Sequence, residues 1–290
     1  MNTSGGATPE IRLRTTPLTP SEDRIASVIL DGYPQSALLT AQAIAKKAGT
    51  SPATVSRLAA KLGYHDFAEM QGALRQALRV QLSSPSERLL AQSGQSKRAA
   101  ALLDQVVDLE VNNLRRTMEL TDRGKLEEFV ARLSGPRRGR VYVAGSKKAS
   151  VVARYFAVQL VQLRPRVRLL RTDDTLADQL LDLVPGDMVV VFEPRRATKH
   201  IAKLVETVRL SGATVAVFTD ERPPAVLAES DFVFPTAVDG VSMFDSYAGL
   251  FALCATILAA LIGRNPREAR LRAERLESLN RDLDVWLGER

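Results

Sequence analysis

Two short stretches concentrate groups able to do chemistry: "GSKKAS" at 145–150 and "EPRRATKH" at 193–200. Each follows an apolar run and mixes hydroxyls with cations. The first offers Ser146, Lys147, Lys148 and Ser150; the second offers Glu193, Arg195, Arg196 and Thr198. Such mixtures hold anions, arginine through paired N–H bonds that match carboxylate or phosphate oxygens. A third stretch, "AGTSPATVSRLAAKLG" at 48–63, sets small residues and hydroxyls around Arg57 and Lys61. No Asp or Glu occurs from 40 to 64, where Lys46 and Lys47 also stand. A surface of that kind suits the phosphate-lined groove of a DNA duplex.

Groups for catalysis are scarce. His65 and His200 are the only histidines and Cys254 the only cysteine, too few for a zinc set, so no metal is expected. Cys254 lies inside "AGLFALCATILAAL" and reads as a packed core thiol. Glu193 is the only carboxylate expected at the mouth of the 193–200 loop, where two arginines make ion pairing a better reading than a tuned base. No catalytic residue and no cofactor is expected.

These groups need elements to position them. At 290 residues, 45% hydrophobic and 25% charged, the chain suits two domains. Its single cysteine fits a reducing cytosol. The first 20 residues lack the apolar core of an export signal, and the longest apolar run, 248–263, is too short to span a bilayer. A cytoplasmic location is expected. The net charge of +7 is spread along the chain, so the acid-free stretch matters more than the total.

Residues 21–82 read as a short all-helical unit. Ser21 can cap a first helix, Thr40 a second ("AQAIAKKA"), and Ser51 a third with Pro52 at its first position. Gly49 sits where a left-handed C-cap belongs. On the third helix Val55, Leu58 and Leu62 share one arc, while Ala53, Arg57 and Ala60, flanked by Thr54, Ser56 and Lys61, share the opposite one. Small side chains allow close approach to a major groove, and cations and hydroxyls reach base edges or phosphates. The Ser51 helix start directs N–H groups toward phosphate, and Thr40 is counted with it among the DNA-binding candidates. Two-helix turns also occur in protein-binding modules, but the lack of acids favours DNA.

From residue 140 the pattern changes. "VYVAG", "RVRLL", "DMVVVF", "ATVAVF" and "DFVFP" are continuous apolar runs separated by helical stretches, which implies a parallel sheet covered on both faces. An apolar helix at 242–262 should pack on it. The expected division is a disordered 1–20, a helix-turn-helix domain at 21–82, a helical linker or dimerisation segment at 83–139, an α/β domain at 140–263 and an amphipathic helix at 264–290. The last carries Leu276, Leu279, Leu283 and Trp286 on one face.

The stretch "TAQAIAKKAGTSPATVSRLAAKLGYHDFAEMQ" resembles the N-terminal domain of RpiR-type bacterial transcription regulators. Ser51, Thr54, Val55, Arg57, Leu62, Gly63, Tyr64 and Phe67 match that family's pattern, "S-x-x-T-V-x-R" followed by "L-G-(aromatic)-x-x-F". Residues 140–262 resemble the family's second part, a SIS (sugar isomerase) domain, in order and length. The resemblance implies a helix-turn-helix head followed by a parallel αβα sandwich. It also implies a double-stranded DNA operator, a homodimer or tetramer, and a sugar-phosphate effector held at the two loops.

The loops depart from the family. In SIS domains the second reads roughly S-x-S-G-x-T, whereas here only Thr198 matches, with Glu193, Arg195 and Arg196 replacing the serines and glycine. Two arrangements are open. In one, Ser146, Lys147, Lys148, Arg195, Arg196 and Thr198 form a basic pocket for a small anion. In the other, Glu193 pairs with the arginines and the domain serves only in assembly. A phosphosugar enzyme is the alternative from another class. "SMFDS" at 242–246 resembles the family's rim segment, but Ser242 with Asp245 reads first as a capping pair.

Overall fold

The computed structural model describes residues 9, 12, 13, 16–32, 35–82, 99–135, 139–221 and 223–286, with the side chains of 35 and 76–82 excepted. They fall into two compact units, residues 1–91 and 92–290.

The first unit is helical throughout. Helix α1 (Pro20–Asp31) is capped by Thr19 rather than Ser21, because "TPSE" puts proline at the first position and lets Glu22 Oε2 accept from the Thr19 N–H at 2.8 Å. Helices α2 (Ala41–Ala48) and α3 (Pro52–Lys61) follow, each with its expected cap. Thr40 Oγ1 accepts from the Ala43 N–H at 3.2 Å, and Ser51 Oγ from the Thr54 N–H at 3.2 Å. Between them Gly49 adopts φ +61°, so α2 ends in the left-handed turn a side chain resists. Helix α4 (Phe67–Leu82) closes the unit. Ile25, Ile29, Ile44, Val55, Leu58, Leu62, Met70 and Leu74 form one buried core. The disorder expected for 1–20 falls largely outside the described residues. Where the N-terminus is described it is engaged: Leu13 is buried in that core, and Arg12 Nη1 donates to the Leu62 carbonyl at 2.7 Å.

In the second unit, α5 (Ala99–Leu120) and α6 (Arg123–Ser134) precede a five-stranded sheet of β1 (Val141–Gly145), β2 (Val167–Leu169), β3 (Met188–Glu193), β4 (Thr214–Thr219) and β5 (Phe232–Pro235). The order is β2-β1-β3-β4-β5 and all pairs are parallel. Alternation divides the strands between two faces. Val141, Val143, Val190, Phe192, Ala216 and Phe218 pack beneath α6, α7 (Ser150–Leu163) and α11 (Ala248–Arg264). Tyr142, Ala144, Val189, Val191, Val215 and Val217 pack against α9 (Lys199–Leu210) and α10 (Ala225–Ala228). The short α8 (Leu176–Gln179) lies between β2 and β3 in the chain, and α12 (Pro266–Asp282) follows α11.

Three expectations change. The run "RVRLL" forms an edge strand with one partner, so Arg168 and Leu169 are exposed rather than buried. The apolar helix begins at Ala248, leaving 236–247 irregular. Of the segment 83–139, residues 83–98 lie outside the described set, whereas α5 and α6 are part of the second unit: α6 buries Phe129, Val130 and Leu133 in its core. Trp286, beyond the end of α12, is half exposed. Among the described residues, no single helix is long and apolar enough to cross a membrane.

Candidate functional site

In the first unit, burial of Val55, Leu58 and Ala59 turns the other side of α3 outward. Ala53, Ser56, Arg57, Ala60 and Lys61 are exposed, and Thr54 is partly so. Arg57 is held locally: its Nη2 donates to Thr54 Oγ1 at 3.0 Å, which lies 2.9 Å from Ser51 Oγ. The face is less purely cationic than its own residues suggest. Packing of α1 brings Glu22 to Lys61, at 2.7 Å. The Lys61 ammonium, with the Thr19 amide, holds the Glu22 carboxyl at about 2. An acid 39 positions away in sequence was invisible to a local reading. His65 is exposed beyond α3, with its N–H donating to Glu69 Oε2 at 2.5 Å.

In the second unit the two loops meet beyond the carboxyl ends of β1 and β3, where open α/β sheets bind ligands. Glu193 is buried and does not pair with the arginines. Its Oε2 accepts from Ser146 Oγ at 2.6 Å, and its Oε1 from the Thr198 N–H at 2.6 Å. Thr198 also caps α9, accepting from the Ile201 N–H. Arg195 adopts φ +68° and buries its side chain to 7% exposure. Its Nε lies 2.8 Å from Asp245 Oδ1 and its Nη2 3.2 Å from Asp239 Oδ1. Lys148 pairs with the other oxygen of Asp245, whose side chain is 2% exposed. Lys147, at φ +45°, and Arg196 are exposed at the mouth. His200 is exposed in the first turn of α9.

Arg195 and Lys148 share the buried Asp245 carboxylate, while Lys147 and Arg196 stay exposed. Glu193 is therefore not the only carboxylate at the mouth. The capping reading of Asp245 is corrected too, since Ser246 rather than Asp245 accepts from the Ala248 N–H at the start of α11. Asp239 was not singled out in the sequence, and Asp245 was read as a cap rather than as a partner of the cations. A lone acid immediately before the most apolar helix needs a buried partner, and that was the available signal. Among the described residues no group of His, Cys, Asp and Glu could hold a metal ion.

A helix-turn-helix unit joined to a parallel α/β unit, with loops gathered beyond the carboxyl ends of β1 and β3, is the architecture of a two-domain regulator. Residues 5–81 match the helix-turn-helix domain of the rpiR family, and residues 136–262 match the SIS domain. The HTH-type transcriptional regulator YfhH of Escherichia coli K12 is 24% identical over 216 residues, 74% of this chain and 76% of that protein. The sugar isomerase domain of an RpiR transcription factor from Sphaerobacter thermophilus superposes with a TM-score of 0.58 at 24% identity, over 61% of this chain and 98% of that one. The Vibrio vulnificus NanR protein, complexed with ManNAc-6P, superposes with a TM-score of 0.55 at 21% identity, over 95% and 99%. The chain belongs to the RpiR-type transcription regulators.

Proposed function

We propose that α3 is the recognition helix and enters the major groove of a palindromic operator. Ala53, Ser56 and Arg57 would face base edges, with Thr54 orienting Arg57. Thr40, Ser51 and Lys61 would meet the backbone, Lys61 by exchanging Glu22 for phosphate. The protein would act in the cytoplasm as a homodimer or tetramer, with half-sites about 34 Å apart. The observation that carries this reading is the exposed, acid-free centre of α3, where Arg57 is steered by a neighbouring hydroxyl. Fluorescence anisotropy on a duplex from the protein's own promoter region tests it. Arg57→Ala should cost about 1–3 kcal/mol of specific binding and leave non-specific binding nearly unchanged. Equal operator affinity for variant and wild type would remove Arg57 from the interface.

The SIS domain would sense a small anion, such as a sugar phosphate, at Ser146, Lys148, Arg195 and Thr198, with Lys147 and Arg196 on approach. It would bind without converting: Glu193, engaged by Ser146 and Thr198, is poorly placed to take a proton. Incubation with sugar phosphates should give no turnover. The pairing of Arg195 and Lys148 with the chain's own Asp245 favours a second reading, in which the domain takes no ligand and serves assembly alone; phosphate titration separates the two.

A further inference from the structure

Arg195 and Lys148, beyond the carboxyl ends of β1 and β3, are matched by Asp245 and Asp239 of the chain itself, and the buried acids Glu193 and Asp245 sit on different kinds of support. Glu193 is the last residue of β3, and its hydrogen bonds to Ser146 and Thr198 tie it to the loops on either side. Asp245 belongs to the irregular segment 236–247 and reaches Arg195 and Lys148 across the mouth of the site. Arg195 keeps a left-handed backbone that only surrounding contacts can sustain, and the buried pair with Asp245 is one of them. An anion arriving from solvent meets the exposed Lys147 and Arg196 first. It gains Arg195 and Lys148 only where Asp245 gives them up.

We propose that Asp245 is a built-in counterion, so that effector binding is an exchange: a phosphate-type anion takes Arg195 and Lys148 from the Asp245 carboxylate. The proposal rests on the anion-sensing reading and adds its regulation. The exchange has a mechanical outlet. Ser246, the next residue, donates from Oγ to Glu110 Oε2 at 2.5 Å. Asn113 Nδ2 donates to the Asp239 carbonyl at 2.7 Å, and the Ala237 N–H donates to Thr117 Oγ1 at 3.0 Å. Glu110, Asn113 and Thr117 follow one face of α5. Moving Asp245 off Arg195 therefore pulls on the helix that follows, in the chain, the segment leading from the DNA-binding unit. A ligand couples to operator affinity only through such contacts that differ between two states.

Calorimetric titration of the full-length protein with inorganic phosphate, and separately with N-acetylmannosamine 6-phosphate, tests the exchange. Asp245→Asn should bind phosphate about tenfold more tightly than wild type, because the charge that Arg195 and Lys148 share is gone and Arg195 keeps only the half-exposed Asp239. Lys148→Gln, at a half-exposed position, should bind it several-fold more weakly, while Lys203→Gln on the outer surface of α9 should match wild type. Without effector, Asp245→Asn should also show the operator affinity of wild type saturated with effector. Equal phosphate affinity for Asp245→Asn and wild type overturns the exchange while leaving anion sensing intact. Absence of binding in both proteins overturns anion sensing as well. Tighter phosphate binding with unchanged operator affinity overturns the link through α5. Should Asp245→Asn fail to fold, equal affinity of Lys148→Gln and wild type overturns the proposal by itself.

Discussion

Single residues decide what the surface of the DNA-binding unit offers a phosphate. The Lys61 ammonium and the Thr19 amide hold the Glu22 carboxyl at about 2, against an ordinary 4.5. An acid whose pKa is lowered by folding binds fewer protons in the folded state. Its stabilisation is complete above about pH 5 and is lost as pH falls toward 2. The gap in unfolding midpoint between wild type and Glu22→Gln should therefore close between those pH values. A gap that stays constant would mean the pair contributes nothing to stability. Cys254 gives a second prediction at this scale. Burial pushes its thiol up to about 12, so almost no thiolate forms near neutrality. Native protein should resist a disulfide reagent at pH 8 and react fully in denaturant; fast native labelling would show that α11 opens readily.

At the level of elements, two glycines separate conformational from steric cost. A Cβ on Gly49 would meet nothing within 4 Å, so Gly49→Ala should lose only the left-handed preference, about 1 kcal/mol, by chemical denaturation. A Cβ on Gly249 would press on Thr117 Oγ1 and lie 3.2 Å from Thr117 Cβ. Gly249→Ala must separate α11 from α5 and should cost about 1–3 kcal/mol, while also loosening the Ala237 bond to Thr117. A smaller loss for Gly249→Ala than for Gly49→Ala would contradict this packing. Local signals explain which elements were legible in advance. Thr40, Gly49 and Ser51 announce their helix ends because caps depend on neighbours in sequence. The runs of β1, β3 and β4 announce a covered parallel sheet because burial on both faces removes alternation. The edge position of β2 was hidden, since strand order is a property of the sheet. The Lys61–Glu22 and Arg195–Asp245 pairs were hidden for the same kind of reason: each joins residues that only the folded chain brings together. Thus the two loops of the candidate site could be located from sequence, while their electrostatic state could not.

For the whole molecule, operator binding should be governed by salt. Affinity falls on a log–log slope of about −0.9 for each phosphate neutralised on duplex DNA. Lys46, exposed in the last turn of α2, would supply one such contact per head on the proposed binding mode. Lys46→Ala should flatten the slope by about one for each head engaged, hence by about two for a homodimer. An unchanged slope would show that Lys46 meets no phosphate, and a change near one would argue for a single engaged head. The second unit presents apolar side chains that such assembly could cover, Leu103 and Val107 on α5 and Val151 and Val158 on α7. Finally, the chain contains one tryptophan, and Trp286 sits half exposed just past α12. Intrinsic indole emission therefore reports the carboxyl-terminal end alone, and loss of the DNA-binding head would pass almost unseen by it. Melting curves followed by fluorescence and by helical circular dichroism should separate wherever the two units come apart at different temperatures.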